Sequence, residues 1–308
     1  MATASAPGKI ILFGEHAVVY GRPALAVPVT QIHADVTVTD SPRPGIWIHA
    51  PDISLHAELA SLPADHPIGA AISSVLARAA FSSLPPIEIK ISSSIPVASG
   101  LGSGAAVTVA LIRSLSSFFF LGFSDEHINQ LAYEIEKLHH GTPSGIDNTV
   151  VTYAQPVYFQ RGQPVEIFRV GTPFTLLIAD TGIPAPTKES VGDVRKLWEA
   201  DKARWEKVFD EIGAIAERAR DAIERGEPQE LGRLMDANQA LLQELTVSST
   251  ELDRLVAVAR RAGAGGAKLS GGGRGGNLIA LVETGQAEQV AESLLSAGAK
   301  RTIITEVK

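Results

Sequence analysis

Hydrophobic and polar positions alternate along this chain in two periods, and the switches between them mark out its elements. Near the amino terminus "KIILFG", "ALAVPV" and "ADVTVTD" are short strand-like runs separated by turn residues. Residues 67–81 carry a helical period. Next come "IEIKIS", which alternates like a strand, the loop "IPVASGLGSG", and the apolar helix "AAVTVALIRSLSSFFF". "DEHINQLAYEIEKLHHG" predicts an amphipathic helix ended by Gly141, and "PVYFQ" and "FTLLIADTG" return to strand. From Lys188 to about Leu245 the pattern turns to charged helices, with Trp198, Trp205, Phe209 and Ile212 spaced to share one packing face. "ELDRLVAVARRAG", "AKLSG", "NLIALVE", "AEQVAESLLSAG" and "RTIITEV" then predict helix, strand, strand, helix, strand. The mixture is α+β, without internal repeats, and with a boundary between about 155 and 190.

Composition narrows the function. With 308 residues, two domains are expected, because single cores rarely grow past about 250 residues. The balance of 27 basic against 34 acidic residues, net −7, argues against nucleic acid as a partner. No cysteine is present, so disulfides and thiolate metal sites are excluded and a reducing cytoplasm is the expected location. The amino-terminal stretch does not read as a signal peptide. Between Lys90 and Arg113 no charge occurs, but Pro96, Gly100, Gly102 and Gly104 interrupt the apolar run too often for a membrane span.

That neutral run orders strand, glycine loop and helix start as a phosphate cradle does: glycines admit a close backbone approach and the helix end favours an anion. Gly100, Gly102 and Ala105 formally satisfy a dinucleotide fingerprint, but the long prolyl spacer and the position in the chain do not fit that fold. A phosphate site and a tight structural turn both remain open on this loop alone. "APGKIILFGEHAVVYG" sets Lys9 at the start of a strand and Glu15 and His16 in the turn after it, which reads either as solvated surface or as chemistry. In "EIEKLHHGTPSGIDN", Glu136 on a helix and Asp147 after a loop are two carboxylates suited to one hard cation and one proton. His139 and His140, at the helix end, read as structural. In "AKLSGGGRGGNLIAL" a strand follows the glycines Gly271, Gly273 and Gly276, so a glycine turn near a ligand or another backbone is expected.

In this order the four stretches resemble the motifs of the GHMP kinases, ATP-dependent kinases of small molecules. "APGKIILFGEHAVVYG" is similar to the first motif in its mevalonate kinase version, "PVASGLGSGAAV" to the second, "KLSGGGRGGN" to the third, and "HGTPSGIDN" to the segment that holds the catalytic aspartate. The resemblance implies a GHMP kinase fold: residues 1–170 an ATP-binding domain like the second domain of ribosomal protein S5, and 171–308 a ferredoxin-like domain. It implies mevalonate and ATP as partners with no membrane, Mg²⁺ as cofactor, and leaves a homodimer open. Asp147 would be the base and Lys9 its catalytic neighbour; Glu15, His16 and Thr187 would face the substrate. Pro96, Gly100, Leu101, Gly102, Ser103, Gly104, Ala105 and Ala106 would wrap the nucleotide phosphates, with Glu136 and Ser103 on the metal.

Two positions depart from the pattern. Gly104 stands where mevalonate kinases commonly carry a second serine, and Arg274 where a small residue is common, reaching either a phosphate or solvent. The expected reaction is phosphorylation of the C5 hydroxyl of mevalonate in isoprenoid precursor synthesis. Alternatives are a superfamily kinase or decarboxylase of a related mevalonate compound, a catalytically silent metabolite sensor, which would need no base, and, more remotely, a nicotinamide oxidoreductase.

Overall fold

The computed structural model describes residues 1–79, 84–96, 99–140, 144–185 and 187–308. The loops "IPVASG" and "HGTPSG" therefore fall partly outside the described residues, as do the side chains of His139 and His140. The chain begins with strands β1 (Ala2–Phe13), β2 (Ala24–Asp40), β3 (Ile46–Ala50) and β4 (Leu55–Glu58). Helix α1 (Pro67–Ala79), strand β5 (Ile87–Ser93) and helices α2 (Ser103–Phe118), α3 (Asp125–His140) and α4 (Ile146–Tyr153) follow. Strands β6 (Val157–Phe159), β7 (Glu166–Ile167) and β8 (Phe174–Asp180) lead into helices α5 (Thr187–Ala200), α6 (Lys202–Arg225), α7 (Gln229–Glu244) and α8 (Thr250–Arg261). The chain closes with β9 (Gly266–Ser270), β10 (Asn277–Val282), α9 (Ala287–Ser296) and β11 (Arg301–Val307).

Two compact units form. One comprises Met1–Gly8, Ile32–Val97 and Leu101–Ala154; the other Lys9–Gln31, Ala98–Gly100 and Gln155–Lys308. In the first, β3 lies parallel to β5 and antiparallel to β4, and β5 pairs antiparallel with the second half of β2. Val36 faces Ile91 and Val38 faces Ile89, and all four are buried, while Glu88 and Lys90 between them are less so. The "IEIKIS" alternation thus becomes one dry face, worth about 1.5–3 kcal/mol for each isoleucine fully removed from water. Helix α2 packs on α1, α3 and α4. "ALAVPV" and "ADVTVTD" are not two strands but one, β2. The "TQI" and His33 between them include no turn former. Pro28 falls between Ala24–Ala26, which pair with β6, and Ala34–Asp40, which pair with β5.

The second unit is built on an antiparallel sheet ordered β11-β8-β10-β9. Its core gathers Leu177, Leu278 and Ala280 from the sheet with Phe209, Ile212, Leu242, Leu252, Val290 and Leu294 from the helices. Trp205, Phe209 and Ile212 belong to it as expected, and Trp198 packs against it partly buried, though from a separate helix, because Asp201 caps α6 by accepting from the Arg204 amide at 3.1 Å. The outer edge of β9 is covered by α7. Asp236 accepts from the Ala267 amide at 3.0 Å and Gln239 from the Leu269 amide at 2.8 Å. Gly232 on α7 and Gly266 on β9 permit this approach, since a Cβ on either would strike the other's backbone or its neighbour's. An edge that would template aggregation is satisfied instead by side chains.

Candidate active site

The first motif begins inside a strand, not at its start. Lys9 lies two-thirds of the way along β1 and is 7% exposed. The chain turns at Gly14, whose φ of 93° and contact with Pro23 and Ala24 admit no side chain. Glu15 and His16 follow, and contrary to the surface-turn reading they are buried, at 3% and 5% exposure.

What holds them is the third motif. Lys268 on β9, wholly inaccessible, donates from Nζ to the Glu15 carboxylate and, at 2.7 Å, to the Leu269 carbonyl. Burial pushes the Glu15 carboxyl up and the Lys268 ammonium down from their usual values, and their attraction for each other opposes both shifts. The Gly271 amide also hydrogen-bonds to Glu15. His16 donates from Nε2 to the Gly272 carbonyl at 3.1 Å, and burial lowers its pKa to about 4, with the Arg274 charge acting in the same direction. The ring is therefore neutral near pH 7, with its Nδ1 lone pair buried and unpartnered among the described residues. Ser270 donates to the Ile11 carbonyl at 2.7 Å, tying β9 to β1. Thr187, exposed at the first residue of α5, rests on Gly272: a Cβ there would stand 2.6 Å from Thr187 Oγ1. Glu15, His16, Thr187 and Gly271–Gly273 are thus one assembly. Arg274, half-buried, pairs with Asp193 on α5 at 2.6 Å, and its hydrogen bond, together with that of Lys196, holds the Asp193 carboxyl at a pKa of about 2.

The second motif opens α2. Gly102, at φ 76°, is its N-cap, and no side chain of the described residues caps that end. Leu101, Ala105 and Ala106 are buried anchors, whereas Gly104 is exposed and Ser103, Gly102 and Pro96 are half-buried. Upstream, Asn277 on β10 donates to the Ser99 carbonyl at 2.6 Å, just before Gly100, whose φ is 77°. The end of a sixteen-residue helix with small residues around it is suited to phosphate.

Asp147 does not lie in a loop; it occupies the first turn of α4, a helix that the pattern of the chain did not announce. Asn129 on α3 braces that turn, accepting from Asn148 Nδ2 at 2.6 Å on its side chain. Glu136 lies seven positions after Asn129, two turns along the same face of α3. Both carboxylates are half-buried, on helices that pack together and on α2, which carries Ser103. Among the described residues no three His, Asp or Glu cluster as a metal cage. One carboxylate with a hydroxyl nevertheless fits Mg²⁺, which keeps waters and takes phosphate oxygens as ligands.

Three residues here escape the sequence pattern: Lys268, Asn277 and Asn129. For Lys268 a signal existed, a lone lysine inside "GAKLS" where both neighbours are apolar.

Residues 67–155 match the N terminal domain of the GHMP kinases and residues 219–300 their C terminal domain. A mevalonate kinase of Aeropyrum pernix is 36% identical, over 97% of this chain and 94% of its own. The chain belongs to the GHMP kinases. This GHMP kinase is also 35% identical to a mevalonate kinase of Thermococcus sibiricus, over 99% of this chain and 95% of that one. The crystal structure of L. major mevalonate kinase in complex with R-mevalonate matches it with a TM-score of 0.86 and 30% identity, covering 100% of this chain and 96% of that chain. As a GHMP kinase it has that family's mixed α/β fold and is an ATP-dependent phosphotransferase acting on a hydroxyl group. Its N terminal match takes in the second motif, Glu136 and Asp147, and its C terminal match takes in Lys268 and Gly271–Gly273. No helix of the described residues is long and apolar enough to cross a membrane.

Proposed function

We propose that this kinase transfers the γ-phosphoryl group of ATP to the C5 hydroxyl of mevalonate, giving 5-phosphomevalonate and ADP, in a cytoplasmic route to isoprenoid precursors. The observation that carries this reading is the full-length similarity to mevalonate kinases. Asp147 takes the hydroxyl proton, and the oxygen so freed forms its bond to the γ-phosphorus as the bond to the ADP oxygen breaks. Lys9 stabilises the developing charge on the hydroxyl and on the transferred group. Such a transfer asks for positioning and neutralisation more than for covalent catalysis.

Pro96 and Gly100–Ala106 wrap the triphosphate, with backbone N–H groups at the start of α2 as donors. Glu136 and Ser103 would hold Mg²⁺, which when bound would neutralise charge on the phosphate oxygens. Glu15, His16 and Thr187 shape the acceptor side, and Gly271–Gly273 support that turn. We assign the nucleotide to residues 1–170 as an S5-like portion and the ferredoxin-like portion to 171–308.

Phosphorus NMR of the protein with ATP, Mg²⁺ and mevalonate, run beside phosphomevalonate, homoserine and galactose, tests the reading. A new phosphomonoester resonance together with ADP, in the mevalonate sample alone, is expected. Turnover of phosphomevalonate in its place would move the chain to the kinase or decarboxylase reading, and release of inorganic phosphate would mark the decarboxylase.

A further inference from the structure

The two strands that flank the third motif each send one buried polar side chain to a different motif. Lys268, on β9, holds Glu15 of the first motif. Asn277, the first residue of β10 and 3% exposed, holds the Ser99 carbonyl of the second. In the sheet Asn277 stands opposite Ser270, two residues beyond Lys268. We propose that Lys268 and Asn277 are positioning residues that act separately, Lys268 on the acceptor-binding turn through Glu15 and Asn277 on the nucleotide-binding loop through the Ser99–Gly100 peptide. The division into acceptor and nucleotide sides rests on the function proposed above.

Lys268 is wholly buried. Its strand neighbours Ala267 and Leu269 use their amides to bind α7, and its Cα partner across the sheet is Ile279, so an apolar side chain of the same length would suit this place. A buried ion pair is a weak source of stability next to such a replacement. What an apolar residue lacks is the ammonium, and its two acceptors are the Glu15 carboxylate and the Leu269 carbonyl. Glu15 Oε1 is thereby fixed, while Oε2 remains buried and unpartnered among the described residues, directly before His16 with its strained φ of 61°. Without Lys268 that carboxylate keeps, among the described residues, only the backbone amides of Gly271 and of Glu15 itself, and no charged partner.

Asn277 acts on the orientation of the Ser99–Gly100 peptide. A trans peptide points its C=O and its N–H in opposite directions. By drawing the Ser99 carbonyl toward β10, Asn277 directs the Gly100 N–H the other way, into the loop that the phosphate reading requires. Only the Nδ2 end of Asn277 is engaged, since Oδ1 is buried without a partner among the described residues. An apolar residue of that shape would remove this hydrogen bond from the Ser99 carbonyl.

The test is a crossed pair of variants in the full chain. Lys268→Met is expected to raise KM for mevalonate about tenfold, the equivalent of ~1.4 kcal/mol, with KM for ATP within twofold. Asn277→Leu is expected to do the reverse. Equilibrium titration with a fluorescent ATP analogue should show the same split without any acceptor: weaker binding to Asn277→Leu, unchanged binding to Lys268→Met. In the Glu15→Gln background Lys268→Met should alter neither KM more than twofold, because its route is already cut. Should Lys268→Met fail to fold, the double variant, which buries no charge, decides: agreement with Glu15→Gln supports the route and a further rise in KM for mevalonate overturns it. Both KM values rising together in each variant, or neither moving, would also overturn the proposal. Wild-type protein inert toward mevalonate would sink the substrate reading alone; the nucleotide titration would still decide the role of Asn277, and weaker nucleotide binding by Lys268→Met would overturn the separation of the two.

Discussion

His16 donates its Nε2 hydrogen to the carbonyl of Gly272, 256 positions away in sequence, and so joins the first motif to the third. The bond is made by a neutral ring whose pKa burial has lowered from 6.5 to about 4. The unfolded chain therefore binds this proton more tightly than the folded one, and acid favours unfolding. The stabilisation is complete above pH 6.5 and is lost as pH falls toward about 4, by at most about 3 kcal/mol for a shift of this size. His16→Asn, which tolerates a positive φ and cannot take the proton, should be less stable than wild type at pH 7 and approach it at pH 4 in urea unfolding. A stability difference that does not change with pH would mean that the ring is not held neutral.

The two half-buried carboxylates carry separable expectations. Asp147→Asn should lower kcat by about 10²–10⁴, the span of a lost general base, with KM for ATP nearly unchanged. Glu136→Gln should raise the Mg²⁺ concentration needed for half-maximal rate, and added Mg²⁺ should recover much of the activity. Near-normal turnover by the first variant, or an unaltered Mg²⁺ titration of the second, would remove the corresponding assignment.

Gly104 offers a gain. It lies in the first turn of α2, exposed, with nothing within 4 Å of the place a Cβ would occupy. Gly104→Ser should fold normally and stabilise α2 by a few tenths of a kcal/mol to about 1 kcal/mol, since glycine is a poor helix former. By restoring the serine common at this place in mevalonate kinases it should also lower the Mg²⁺ requirement severalfold. An unchanged Mg²⁺ titration would show that Ser103 or water already fills that role.

Glycines elsewhere divide by backbone geometry. Gly273 has φ 74°, and a Cβ there would collide with the Val247 carbonyl oxygen. Gly273→Ala should cost at least about 1–3 kcal/mol from the backbone alone and loosen the Glu15–His16 turn. Gly192, within α5 and without neighbours in reach, should accept alanine with a gain of about 0.5–1 kcal/mol. Thermal melts of the two variants should move in opposite directions.

Element types are legible wherever one period runs long enough, as in α2, α3, α6 and α8, because local burial pattern and helix signals agree there. "ALAVPV" and "ADVTVTD" read as separate strands because a continuous extended chain leaves no mark where its partner changes from β6 to β5. The short helix α4 escapes the pattern because eight residues carry too little of it, and Asp147 reads as a loop residue for that reason.

The sequence by itself determined the family, the α+β class and the residue types of the site, since glycine spacing, an apolar run without charge and paired carboxylates are local properties written in order along the chain. Only the tertiary structure decided which of these groups meet and in what state of ionisation. It buried Glu15 and His16, lowered the histidine to about pKa 4, and selected Lys268 and Asn277 as the residues that hold the other motifs. Burial and partnership depend on residues 178 to 256 positions apart, and no local pattern encodes contacts at that distance.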